Sequence, residues 1–361
     1  MRLFSLVNKA ELLYHVPAST SIESSLVSNM AMTINDIYKL AIKMGMAADP
    51  RGLAKVKSLL ERTKKDYKNL SIKEKKYFDT ESFENPYSDT RILLGDPKKT
   101  VKKVVAGIDA NGTEVLLVDR LNEKGQGIDL LIAHHPSGHA LTSLHEVMDI
   151  LVDTFAQSGV PENVAYGLLR ESMGMVKRKF GPLNHSQAID IAKLLGVPIM
   201  ALHTVWDNIG DAFMRDFLLK RKFETVSEIV DAICEIDEFE EAVKGKNGPS
   251  IVSGSEKART GKIVVSFTGG TNPSKDLYME LAKAGVGTLV EMHIPEESVQ
   301  ELKKAHINAI DVGHMAADSI GANIFLDELE KRGVEVIPAS GLIRINRNKS
   351  STKVYRTLNK N

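Results

Sequence analysis

The chain has 361 residues, 43% apolar and 26% charged, enough for a globular protein that buries a large core without staples. Lysine plus arginine equals aspartate plus glutamate at 47 each, so no global charge draws it to nucleic acid or an anionic membrane. The single cysteine, Cys234, excludes an internal disulfide and a cysteine-rich zinc module. It fits a reducing, cytoplasmic setting, and it leaves histidine and carboxylate as the metal ligands on offer.

No apolar run approaches the ~20 residues needed to span a bilayer. Residues 1–31 hold one short apolar run at 3–7 and then a Ser/Thr-rich stretch without period, which predicts a disordered tail. Residues 32–100 read as a helical N-terminal region. Thr33-Ile34-Asn35-Asp36 opens a helical pattern, residues 54–67 and 72–78 are helical and charged, and 79–100 is loop-like, with Pro86, Gly95 and Pro97.

A first α/β lobe is expected at 101–225. Its strands fall at 101–108, 128–133 and 197–202, and 109–112 reads as a turn. A helical insertion occupies about 140–180, and a further helix runs from Asn184 to Gly196. Residues 226–260 read as helix and linker. A second α/β lobe follows at 261–345, with strands at 262–267, 287–292 and 306–312 and helices at about 274–284, 296–304 and 315–332. Residues 346–361 form a C-terminal tail. The fold class is therefore α/β: two lobes with helical additions and a strand-end site between them.

Three strands end in residues able to bind metal: 128–133 runs into His134-His135-Pro136, 197–202 into His203-Thr204-Val205-Trp206-Asp207, and 306–312 into Gly313-His314 with Asp318 four residues on. Ligands bind at the carboxyl ends of strands in α/β folds, so these groups have a physical reason to converge. Each motif also has a plainer explanation. His134 and His135 can be one buried and one exposed loop histidine. Asp207 can cap a following helix. Asp318 can be a first-turn helix acid. His139, His145 and Glu146 fall in a helical segment and are expected to be solvated or to stand behind the ligands. Taken together, three histidines and two carboxylates exceed the needs of one tetrahedral ion and suit a pair of Zn, Mn, Fe, Co or Ni ions. His203 is the candidate for a supporting residue or proton carrier. The loop 268–273, Thr-Gly-Gly-Thr-Asn-Pro, can cradle a phosphate or simply make a tight turn.

The order Ile-Ala-His-His-Pro, Ala-Leu-His-Thr-Val-Trp-Asp, Val-Gly-His-Met-Ala-Ala-Asp resembles the NIF-three-like family, also called GTP cyclohydrolase I type 2 homologues. Gly95-Asp96-Pro97 and the strand leading to Asp109 resemble its first strand region. The resemblance implies a dinuclear centre inside a ring-shaped oligomer, commonly a hexamer. His135 and Asp207 would bind one ion, His134 and His314 the other, and Asp318 would stand where the family has a bridging glutamate. A metal-dependent hydrolase of a nucleotide or phosphoester is one expectation. A non-enzymatic metal-binding, storage or regulatory ring is the other.

Overall fold

A computed structural model describes residues 31–348. The tail expected at 1–31 lies outside the described residues but for Ala31, as does all but the start of the one expected at 346–361.

The helical N-terminal region comprises α1 (Ile34–Ala48), α2 (Leu53–Asn69) and the short α3 (Ile72–Lys76). Thr33 and Asp36 close a reciprocal capping box on α1: the Thr33 hydroxyl accepts from the Asp36 backbone, and the Asp36 carboxylate from that of Thr33. The next elements are β1 (Thr90–Leu94), β2 (Lys103–Gly107), α4 (Gly112–Glu123) and β3 (Leu130–Ala133). Five helices then follow before the next strand: α5 (Gly138–Thr142), α6 (Leu144–Val147), α7 (Asp149–Gln157), α8 (Glu162–Phe180) and α9 (Gln187–Leu195). Gly196, left-handed at φ 67°, ends α9 as the sequence predicts. After β4 (Ile199–Leu202) come α10 (His203–Leu219), α11 (Val226–Ile233) and α12 (Asp237–Lys244). The chain finishes with β5 (Ser250–Ser253), β6 (Lys262–Ser266), α13 (Asp276–Lys283), β7 (Val286–Glu291), α14 (Glu296–Lys304), β8 (Asn308–Asp311), α15 (His314–Lys331) and β9 (Glu335–Ala339). Among the described residues no helix is long and apolar enough to cross a membrane.

The strands form two sheets, ordered β1-β4-β3-β2-β9 and β5-β8-β7-β6. In each, one antiparallel edge strand, β1 or β5, joins otherwise parallel partners. Both faces of the first sheet are covered. Val104, Leu130, Ile132 and Met200 point into a core shared with α1, α10 and α15, while Val105, Leu131 and Ile199 point into one shared with α4 and α9. This period of two is why these strands read as continuous apolar runs. The second sheet is packed likewise, by α10–α12 and α15 on one face and by α7, α8, α13 and α14 on the other.

Five features depart from the sequence expectations. Strand β1 occupies part of the stretch read as loop at 79–100, and β5 part of the linker at 226–260. Residues 335–339, grouped by sequence with the second lobe, pair in parallel with β2 in the first sheet. The helical insertion after His135 crosses over: Leu151, Phe155 and Leu169 pack with Leu277, Tyr278 and Leu289 of the second lobe. Residues 346–348 are tied to α15, where the Arg347 backbone donates to Asp327 at 2.9 Å and the Asn348 amide to the Asp327 carbonyl at 3.0 Å.

The lobes meet where α10 crosses α15. A Cβ on Gly321 would sit 1.9 Å from the Trp206 carbonyl oxygen, so only glycine permits this approach of backbones.

Candidate metal centre

The parallel register brings the carboxyl ends of β2, β3 and β4 level, with Gly107 beside Ala133 and Ala133 beside Ala201. The chain stays extended one step further, because the His134 and His135 backbones donate to the carbonyls of Gly107 and Ile108 at 2.9 and 2.8 Å. Adjacent side chains on an extended segment diverge. His134 accordingly turns inward, 1% exposed and stacked on Trp206 at 5.7 Å, while the His135 side chain stays 28% exposed.

Helix α10 starts at His203 itself, with Leu202 in the capping position. Asp207 is therefore not an N-cap, as the sequence allowed, but the fifth helical residue, on the same face as His203. The second lobe repeats this device. Gly313, at φ 97° and with no room for a Cβ beside the Asn247 carbonyl, turns the chain so that α15 starts at His314. Asp318 is then fifth, beyond the first turn, and its side chain is fully buried. Two His-x-x-x-Asp pairs thus face one another across the lobe boundary.

The five residues singled out by sequence come together there. His134 Nε2 lies 3.2 Å from Asp207 Oδ1 and 3.4 Å from Asp318 Oδ1. His135 Nε2 and His314 Nε2 lie 3.5 and 3.2 Å from Asp318 Oδ2. Ligand atoms of His134, Asp207 and Asp318 fall within 4.8 Å of one another, as do those of His135, His314 and Asp318. The resemblance implies another division, His135 with Asp207 and His134 with His314; in the metal-free structure Asp207 lies with His134, and His314 with His135. The cause is the divergence of the two histidines, which sends His134 toward α10 and His135 toward the exposed start of α15.

Asp318 is the shared member. Both its oxygens are buried and receive no hydrogen bond in proper geometry, and both His134 ring nitrogens are equally without partners. Such groups are costly unless something satisfies them. Separations of 3.2–3.5 Å suit atoms around a cation, since tetrahedral ligands at about 2.1 Å from one ion stand about 3.4 Å apart. The donor set therefore fits metal ions.

The electrostatics of the metal-free site divide the histidines. Burial opposes charge on His134, but Asp318 and Asp207 outweigh it and raise its pKa to about 10. Burial would raise the Asp318 pKa, yet His134, His135 and His314 hold it far below the usual carboxylate range. Burial, aided by the rings of His293, His135 and His134 and opposed by Asp318, lowers His314 to about 4, leaving it neutral and able to donate a lone pair.

Three neighbours escaped the sequence. Asp109 accepts from His135 Nδ1 at 2.9 Å and Asp89 from His203 Nδ1 at 2.8 Å, each fixing a ring. His293 packs edge-on against His314 at 4.6 Å. It stands two residues past the end of β7, so the signal of a strand running into histidine was present a fourth time. Of the remaining candidates, His139 and Glu146 are exposed and His145 bonds only the Thr142 carbonyl, so none enters the cluster. The glycine loop is filled by packing: added Cβ atoms on Gly269 and Gly270 would strike Leu151 and Val147. A tight turn accounts for it.

No family model and no curated protein matches the sequence. Among solved structures, the chain is similar to a NIF3 superfamily protein from Sphaerobacter thermophilus, with 29% identity and a TM-score of 0.63 over 71% of this chain and 92% of that one. Reduced HcgD from Methanocaldococcus jannaschii is more distant, at 13% identity and a TM-score of 0.45 over 68% and 87% of the two chains. A Bacillus cereus protein related to NIF3 stands at 12% and 0.38 over 70% and 91%. The shared fold at 29% identity, with three strand-end histidine motifs in the order of the resemblance, supports a NIF3-like family for this chain.

Proposed function

We propose that the chain holds two divalent metal ions. His134, Asp207 and Asp318 form an inner set beside His203; His135, His314 and the same Asp318 form an outer set. The observation that carries this is the Asp318 carboxylate, wholly buried, without hydrogen-bond donors, and facing an imidazole nitrogen from each of three histidines. Equilibrium titration of metal-free protein with Zn, Mn, Fe, Co and Ni, with elemental analysis, tests it. Two ions per chain is the expected result, and no retained ion under any of these would refute it.

The two halves differ in access. The inner residues are buried, whereas the His135 and His314 side chains are 28% and 34% exposed. An outer ion would have three protein donors and an open position, the pattern of catalytic rather than structural sites. Bound there, a divalent ion lowers the pKa of water and polarises a phosphoryl or carbonyl oxygen. This favours a metal-dependent hydrolase acting on a small nucleotide or phosphoester. Asp109 orients His135, and His203 is placed to carry a proton. A hydrolysis screen on the two-ion protein tests the activity. Full occupancy without turnover would leave the storage or regulatory protein. The ring-shaped oligomer implied by the resemblance belongs to the same proposal, and light scattering on the intact protein tests it.

A further inference from the structure

Asp89 lies outside both ligand sets, yet it is fully buried. Its place follows from topology. Strand β1 runs antiparallel to β4, and Thr90 pairs with Leu202. The residue before β1 therefore stands beside the residue after β4, which is His203. Asp89 Oδ2 is 2.8 Å from His203 Nδ1 and 2.6 Å from the Thr204 hydroxyl. An ionised carboxylate only accepts hydrogen bonds, so Nδ1 carries a proton and Nε2 is the nitrogen left bare. One ligand atom of His203 falls within 4.8 Å of one on each of His134 and His135.

We propose that Asp89 is a positioning residue. It fixes both the orientation and the tautomer of His203, and so presents Nε2 as a further nitrogen ligand to the inner ion. The ligand role rests on the two-ion reading, whereas the tautomer stands on the Asp89 contact alone. A carboxylate behind a ligating histidine orients the ring and raises its basicity, and its loss weakens metal binding 10–100-fold. The exposed pair Asp109–His135 applies the same device to the outer set. The inner pair differs in being out of water, where no solvent can take the carboxylate's place.

Two measurements on the full chain test this. Long-range proton–nitrogen NMR of the histidine rings, on metal-free protein, reads the tautomer. Zinc calorimetry in a His314→Ala background, which leaves only the inner set intact, reads the inner ion. The expected results are an Nδ1-protonated His203, loss of that tautomer in Asp89→Asn, and 10–100-fold weaker zinc binding in the double variant. Thr204→Val removes the Thr204 hydroxyl from Asp89, leaving His203 and the Thr90 hydroxyl at 3.4 Å, and is expected to change zinc affinity less than threefold. A His203 protonated at Nε2, or Asp89→Asn binding zinc within threefold of its parent, would overturn the inference. Equal losses in Asp89→Asn and Thr204→Val would mark a structural tie and overturn it too. If the unmodified chain binds no zinc, the two-ion reading falls, and the tautomer alone decides the role of Asp89.

Discussion

Replacing Asp318 with asparagine separates a shared metal ligand from a helix acid. The change keeps side-chain size and removes one charge. A first-turn acid gains about 0.3–1 kcal/mol from the helix dipole, and its loss leaves metal content alone. Asp318 is past the first turn, buried, and approached by nitrogens of His134, His135 and His314 at 3.2–3.5 Å. Removing its charge takes a donor from both sets at once, reducing each from three to two, His203 aside. Outer-shell partners are worth 10–100-fold in metal affinity, so a direct ligand is expected to be worth more than about 100-fold, or about 2.7 kcal/mol. Asp318→Asn should bind at most one ion per chain in calorimetric titration, with elemental analysis confirming the count. Asp318→Glu, with the longer reach that the resemblance implies for a bridging residue, should keep both. Two ions bound to the asparagine variant within tenfold of the parent affinity would show that Asp318 is not a ligand.

Metal entry should expel a proton. With His134 raised to about 10, the metal-free site holds an imidazolium at pH 7, and calorimetry in buffers of different ionisation enthalpy should show roughly one proton released per inner ion. The same shift gives metal-free protein a stabilisation fully present below the unfolded histidine pKa of about 6.5 and lost as pH rises through about 10; metal-loaded protein should lack that decline in thermal scans. Glu291, fully buried beneath Tyr278, is raised to about 8 by burial, with Asp311 adding, so it should erode stability as pH climbs from about 4.5 to 8. Glu291→Gln should flatten melting temperature across that range, and an unchanged slope would exclude Glu291 as its source. Gly321→Ala drives a methyl into the Trp206 carbonyl and should destabilise by roughly 3 kcal/mol in urea unfolding, with weakened metal binding because α10 and α15 must part. A loss under 1 kcal/mol would mean that the crossing yields easily.

Much of this architecture is legible in the sequence where local chemistry is strong. The Thr33–Asp36 box, the apolar strands before His134 and His203, and the βα alternation after 261 are local signals, and the structure has them nearly as read. Strand β1 was illegible because Thr90 and Arg91 are buried polar residues on an edge, and Gly95 and Pro97 follow at once. Losing β1 hid Asp89, whose importance depends wholly on its pairing with β4. The start of α10 was misplaced because no capping residue marks it, and so Asp207 looked like the cap. No residue in β9 states that its partner is β2, more than two hundred positions away. Pairing choice is a property of the assembled sheet rather than of the strand.

That last pairing shapes how an ion could come and go. The chain leaves the first sheet through α10, builds the second, and returns through α15 to lay β9 against β2. The second lobe is thus tethered at both ends, and its return tether carries His314 and Asp318. Spreading the lobes like jaws would drag α15 off its crossing with α10 at Gly321 and strip β9 from its neighbour. Exchange with solution should therefore run through the His135–His314 rim, in sequence: outer position first, inner position only after it. A chelator added to loaded protein would then remove metal in two separated kinetic phases, with the inner ion leaving at the pace of local breathing rather than of lobe opening.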